Sequence, residues 1–399
     1  MTTETSAATD RDGLRAQVAE FLAAHDPHGA DPLEFLRARF DAGLAWVHYP
    51  AGLGGQGLPR SLQVVVDREF MAAGAPSNHP ELNGIGLGMA APTILAHGTP
   101  EQNQLWLRPL WTGEEVWCQL FSEPGAGSDL AGLATRAVRD GDTWTVNGQK
   151  VWTSSAHMAR RALLVARTDP DVPKHEGLTY FALDMHQPGV EVRPLRQLTG
   201  EAEFNEVFLT DAQVADGDRI GAVGQGWAVS MATLMNERVS IGGAAMPREG
   251  GMIAPAARTW REHPEKRTPG LHDRLLRLWA DAEVARLAGT RLRQQLAAGQ
   301  PGPEGSAAKL TFARLNQDIS EFEVELDGPD GLLYDDWTMR RPEGANFFGR
   351  TSGYRFLRAK GNSIEGGTSE ILRNIIAERV LGLPKEARVD TGPWKDLPR

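Results

Sequence analysis

Cysteine is nearly missing from this 399-residue chain: Cys118 is the only one. An intrachain disulfide is therefore excluded, as is a cysteine-rich metal cage, and a reducing compartment is the expected setting. The ten histidines show neither HExxH nor any other ligand spacing, so no metal centre is expected. No apolar run approaches the roughly 18 residues that a membrane-spanning helix needs. The polar N-terminus carries Glu4, Asp10 and Asp12. It has neither the apolar core of a signal peptide nor the acid-poor, arginine-rich character of a transit peptide, so a cytoplasmic location is expected. Basic runs are absent too. With 42 Lys and Arg against 52 Asp and Glu the net charge is −10, which argues against nucleic acid or an anionic membrane as partner.

What is present is long enough for two or three packed layers or domains. From Gly13 to about Leu107 the periodicity is helical. Leu14, Val18, Phe21 and Leu22 mark one stretch, Leu33, Leu36 and Phe40 a second, and Val64, Val65, Phe70 and Met71 a third. An alanine-rich run, Gly86 to His97, marks a buried fourth. The loop from Tyr49 to Gly57 reads either as a binding loop or as a glycine-rich connector. From about Glu115 to Gly221 the pattern turns to strands, with short runs at Trp144–Val146, Leu163–Ala166, Tyr180–Leu183, Val190–Val192 and Phe204–Leu209. Their spacing predicts a small antiparallel barrel or sandwich. After Gly226 helices return at Trp227–Ile241, Leu271–Leu296, Ser306–Leu326 and Ser369–Leu381, broken by prolines such as Pro264, Pro301 and Pro329. The expected fold is α+β and multidomain. A helical domain spans 1–115, its first ten residues a frayed tail; a β-domain spans 116–222 and a helical bundle 223–399.

Three segments can carry chemistry. Gly125, Ala126, Gly127 and Ser128 form a small-residue loop whose backbone N–H groups can receive a phosphate or a planar ring. The bland reading is a tight turn entering the sheet, which continues as a meander with turns expected at Asp140-Gly141 and Asn147-Gly148. Near the C-terminus, Thr368 is a good N-cap for an apolar helix, and Gly366 and Gly367 leave N–H groups free at its positive end. That segment is an anion site or merely a capped helix. Thirdly, Ser230, Thr233, Glu237 and Ser240 fall at i, i+3, i+7 and i+10 on an apolar helix. Such a stripe is either solvated surface or the wall of a buried cleft. Gly84-x-Gly86-x-Gly88 follows no strand, so a dinucleotide reading is set aside.

The run Trp117 to Asp129 followed by Asn147-Gly-Gln-Lys-Val-Trp152-Thr-Ser resembles the flavin-binding β-domain of the acyl-CoA dehydrogenase family. Ser363 to Asn374, continuing through Ala377-Glu378-Arg379, resembles that family's second signature, and the helix–strand–helix order matches over nearly the whole chain. The resemblance implies noncovalent FAD in a cleft between sheet and bundle. Gln119, Phe121 and Ser122 would meet the flavin edge, Trp152 would pack on the ring, and Thr153 and Ser154 would add polar contacts. Thr368 and Glu370 would approach the cofactor; Gly127 and Ser128 would sit near phosphate or thioester, with Arg238 and Gly366 also at the substrate. Members resembling the medium-chain enzyme carry a catalytic glutamate directly before the Gly-Thr pair, where this chain has Gly366 with Glu365 one residue earlier. A subgroup resembling the long-chain and isovaleryl enzymes carries its base in a helical Glu-Arg pair, here Glu237-Arg238. Glu237 is the expected base and Glu365 the alternative. The implied activity is α,β-dehydrogenation of an acyl-CoA thioester by a homotetramer, electrons passing to an electron-transfer flavoprotein. A flavin oxidase or monooxygenase, or a non-catalytic partner subunit of a heterotetramer, are the alternatives on the same fold.

Overall fold

Helical periodicity at the two ends and strand alternation in the middle both appear in the computed structural model, which describes residues 2–29, 31–242, 247–297, 302–334, 336–342, 350–388 and 390–397. Within these, the side chains of 2–10, 237–242 and 296–297 lie outside the description. The N-terminal region consists of α1 (Thr2–Ala24), α2 (Pro32–Asp41), α3 (Gln63–Ala72), α4 (Ala91–His97) and α5 (Pro100–Thr112). Helix α1 thus carries backbone through the segment expected to fray. Asp31 caps α2, and a Thr99–Gln102 capping box starts α5. The Tyr49–Gly57 loop is a connector: Gly54 accepts from the amides of Ala45 and Trp46, and Gly57 donates to Tyr49.

Seven strands follow: β1 (Trp117–Leu120), β2 (Arg136–Asp140), β3 (Thr143–Ser154), β4 (Arg161–Arg167), β5 (Leu178–Asp184), β6 (Val190–Pro194) and β7 (Phe204–Ala215). They form one sheet ordered β1-β4-β2-β3-β7-β6, with β5 also on β4. The expectation of an antiparallel domain is corrected in one respect. β1 and β2 each pair with β4 in parallel, while the other pairings are antiparallel. The β2–β3 hairpin provides the crossover that parallel pairing of β1 with β4 requires. The Asp140-Gly141 turn is present, with Gly141 at φ 58°. Asn147-Gly148 is not a turn: both residues lie inside β3. There Asn147 accepts from the Asp211 amide at 2.9 Å and donates to its carboxylate at 3.0 Å. A Cβ at position 148 would lie 2.2 Å from Thr135 Oγ1, so glycine serves close packing instead of chain reversal.

The C-terminal region comprises α6 (Gly226–Gly242), α7 (Ile253–Glu262), α8 (Pro269–Ala297), α9 (Gly305–Asp327), α10 (Ser352–Ala359) and α11 (Ser369–Arg379). β4 is buried on both faces, and its alternation divides two cores. Leu163 and Val165 join a core with Phe40, Trp111, Trp117, Tyr180 and Val229, while Ala162, Leu164 and Ala166 join Trp144, Phe181 and Val207. The first core runs unbroken from the N-terminal helices through the sheet to α6. Polar ties reinforce it. Asn83 donates to the carbonyls of Leu110 and Glu115 and accepts from the Trp117 amide. Thr233 of α6 shares hydroxyl contacts with Thr93 of α4 at 3.0 Å and Tyr180 of β5 at 2.9 Å. Ser230 and Thr233 are fully buried. The described half of the polar stripe on α6, Ser230 and Thr233, is therefore a junction between regions rather than solvated surface.

Candidate active site

Where the three regions meet, a cleft of about 2160 Å³ opens. That is larger than the roughly 300–1,000 Å³ typical of small-molecule pockets and leaves room for a cofactor beside a substrate. The segment leading into α4 contributes Leu82, Ile85 and Met89, and α6 contributes Trp227, Met231 and Leu234. The sheet supplies Gln119, Phe121, Ser122, Gly127, Ser128, Trp152 and Ser154, and the loop before α11 supplies Glu365, Gly366, Gly367 and Thr368.

The 121–128 loop is pinned from beneath by a buried ion pair that sequence reasoning missed. Lys150 Nζ, with no exposed surface, donates to Glu123 Oε1 at 2.8 Å and to the carbonyls of Phe121 at 3.0 Å and Val165 at 2.9 Å. Glu123 also accepts from the amides of Ala134 and Thr135. Burial alone would raise the Glu123 carboxyl. The Lys150 charge and these hydrogen bonds outweigh it and hold the group below the usual carboxylate range. Reciprocal backbone bonds between Glu123 and Ala126 close the loop tip, and Ser122 O accepts from the Val151 amide. The sequence did hold a signal: Lys150 sits in phase with the inward-facing Trp144 and Val146.

A bulge places Trp152. Between Lys150 and Thr153 β3 advances three residues while β7, from Val207 to Asn205, advances two. Trp152 is the residue at positive φ in this interval, 60°, and its side chain is 59% exposed on the cleft wall, edge-on to Phe204. The usual core role of a strand tryptophan is thus reversed. The same bulge turns Thr153 inward: it is buried and absent from the cleft lining, so the structure does not bring it to the other cofactor candidates. Glu370 is likewise outside, exposed in the first turn of α11.

At the C-terminal wall Thr368 caps α11, accepting from the Ile371 amide at 3.3 Å. Gly366 and Gly367 have φ of 63° and 97°, a left-handed pair that aims the chain into the helix start. Buried Lys309 of α9 fixes this loop by donating to the carbonyls of Asn362 and Gly367, each at 2.7 Å. Glu365 lines the cleft but is engaged: Arg358 reaches Oε1 at 3.3 Å and Oε2 at 3.0 Å, and Asn362 donates to Oε1. Arg358 also pairs with Glu203 at 3.2 Å, whose carboxyl burial pushes upward. Lys309 and Arg358 left no sequence signal, because their partners lie in other elements or across loops. Glu237 and Arg238 fall on α6, with side chains outside the described residues.

The residues present suit a flavin. The Gln119 amide and the Ser122, Ser128 and Ser154 hydroxyls line the cleft with no hydrogen-bond partner among the described residues, beside the exposed Trp152 ring. No group of metal-ligating side chains and no helix long and apolar enough to cross a membrane occurs among the described residues.

Family models match the chain in three consecutive blocks: the N-terminal domain of acyl-CoA dehydrogenase over residues 3–114, its middle domain over 118–212 and its C-terminal domain over 224–381. Acyl-CoA dehydrogenase FadE34 of Mycobacterium tuberculosis is 42% identical over 383 residues, covering 94% of this chain and 49% of that protein. The chain therefore spans about half the length of that relative. Acyl-CoA dehydrogenase IpdE1 of the same organism is 40% identical over 355 residues, covering 87% of this chain and 86% of IpdE1. Among solved structures, the ChsE4-ChsE5 complex from Mycobacterium tuberculosis matches with a TM-score of 0.70 at 28% identity, covering 94% of this chain and 97% of that one.

Proposed function

The chain belongs to the acyl-CoA dehydrogenase family, and from that premise we propose that it α,β-dehydrogenates an acyl-CoA thioester with FAD as its cofactor. The observation that carries this reading is the bulge that turns Trp152 out onto a cleft wall shared with the 119–128 loop and the glycine-rich start of α11. In that cleft the exposed Trp152 side chain would pack on the ring, and Gln119, Ser122 and Ser154 would offer it hydrogen bonds. Bound there, FAD would supply the acceptor for the β-hydride.

The α-proton of a thioester is weakly acidic, so the protein must stabilise charge developing on the carbonyl oxygen. Backbone N–H groups at the Gly366–Thr368 helix start are suited to that task. Glu237 takes the proton. It follows Leu234, a cleft residue, by three positions on α6, and its Glu-Arg pairing matches one family subgroup. Glu365 is held by Arg358 and Asn362, which weakens its claim as the alternative base. Arg238 and Ser128 contribute to thioester binding, Thr368 to cofactor binding, and electrons pass on to an electron-transfer flavoprotein. The reading extends to a cytoplasmic homotetramer.

A second reading, as one subunit of a heteromeric dehydrogenase, is favoured by Gly366 at the position of a carboxylate in part of the family and by the likeness to the ChsE4-ChsE5 complex. A flavin spectrum in the chain purified alone separates it from the first. The main test is anaerobic bleaching of that spectrum by a panel of acyl-CoA thioesters. Glu237→Gln should keep the spectrum and slow bleaching about 10²–10⁴-fold, the usual loss of a positioned base. Glu365→Gln should leave bleaching largely intact; the reverse pattern moves the base to Glu365.

A further inference from the structure

The 224–381 block ends well before a segment with contacts of its own on the β-domain. Residues 390–397 lie along the β4–β5 loop: Pro393 bridges Pro173, the Trp394 amide donates to Val172 O at 2.9 Å, and the Lys395 amide donates to Pro170 O at 3.1 Å. Trp394 Nε1 donates to Gly132 O at 3.1 Å, and its ring covers the Arg167 guanidinium at 4.3 Å. Arg167 is buried and donates to Ala131 O at 2.6 Å and Leu133 O at 3.1 Å. Beside it, buried Lys174 is shared between Asp129 at 2.7 Å and Asp390 at 2.5 Å. The backbone contacts seat the segment on 170–173, while the side chains of Trp394, Arg167 and Lys174 converge on residues 129–133. That turn continues directly from Gly127 and Ser128, and Leu130 within it lines the cleft.

We propose that residues 390–397 form a strap that positions the Gly127–Leu130 wall of the cleft for thioester binding, with Trp394 as the positioning residue. The ring of Trp394 closes over Arg167 and so shields its hydrogen bonds to the turn from water, where they hold most strongly. Asp390 completes the pairing of Lys174, whose other carboxylate is the neighbour of Ser128. A wall held in place before the ligand arrives spares the ordering cost of binding. These contacts fall on 129–133 and 170–174, away from the Gln119, Ser122, Trp152 and Ser154 side chains offered to the flavin, so thioester binding responds to the strap more than flavin retention does.

The inference rests on the thioester reading, and its test separates the two. Trp394→Ala should quicken amide hydrogen exchange across 127–133, keep most of the flavin bound, raise KM for a bleaching thioester about tenfold and hold kcat of the flavin-loaded protein within about twofold. Trp394→Phe keeps a ring over Arg167 and should restore most of the KM; Asp390→Asn, which leaves Trp394 in place, should give an intermediate effect. Unchanged exchange at 127–133 in Trp394→Ala, or faster exchange with KM unaltered, overturns the proposal. Should Trp394→Ala fail to fold, Asp390→Asn carries the same comparison by the same two criteria. If no thioester bleaches the wild-type protein, the dehydrogenase reading falls, and exchange at 127–133 still decides whether the strap holds the wall.

Discussion

A lysine with no exposed surface is tolerated only if its charge is matched and its three donors are used. Lys150 meets both conditions through Glu123, Phe121 O and Val165 O. Removing one partner is therefore far worse than never having had the pair. Glu123→Gln strands the ammonium and should destabilise the protein by about 3–5 kcal/mol in urea titration, with loss of flavin from the loosened loop. The pH dependence follows from the depressed Glu123 carboxyl. Its stabilisation is fully present above the unfolded value of about 4.3 and is lost as pH falls through the lower folded value. The stability gap between wild type and Glu123→Gln should hold near neutrality and close in acid. A gap independent of pH would show that Glu123 acts by shape alone. The paired change Glu123→Leu with Lys150→Met should regain only part of that stability and none of the flavin, since the Ala134 and Thr135 amides then lose their acceptor and the Phe121 carbonyl its donor.

Helix α6 ties the three regions together and carries the proposed base. Thr233 is its anchor, bonded to α4 and β5 and, through its own hydroxyl, to Val229 O at 3.1 Å. Glu237 lies four residues further along the same helix. Thr233→Val leaves Tyr180 without its hydroxyl partner and should cost about 1–3 kcal/mol in melting experiments. Because α6 then seats less firmly, kcat for thioester bleaching should fall while the flavin spectrum persists; Thr233→Ser should preserve both. An unchanged kcat in a destabilised Thr233→Val would confine the junction to structure. The i, i+3 stripe was readable in the sequence, but its burial was not. Periodicity states which residues share a face, not what that face meets.

At the scale of the whole molecule, several large apolar side chains among the described residues are exposed. Leu381 is 66% exposed and Leu332 82% exposed, with Val380 and Leu383 close behind the end of α11. Of these, Val380, Leu381 and Leu383 are neighbours in the chain, and a local apolar group of this kind is often buried in an assembly. Light scattering of the purified protein should give about four times the 43.4 kDa chain mass; a concentration-independent value of 43.4 kDa would exclude the tetramer.

Local chemistry alone determined the succession of helices, strands and helices, the Thr368 cap, the small-residue loop at 125–128 and the paired glycines before α11. Each of these depends on residues within a turn or two of one another, where sequence spacing and spatial spacing coincide. Only the tertiary structure decided that Asn147-Gly148 lies within a strand, that a bulge turns Trp152 outward and Thr153 inward, and that Glu365 is already engaged by Arg358. It alone joined Lys150 to Glu123, 27 residues away, and Thr93 to Thr233, 140 residues away. Hydrogen bonds and ion pairs act over a few ångströms of space, and pairs so far apart in the chain come within that reach only when the fold closes.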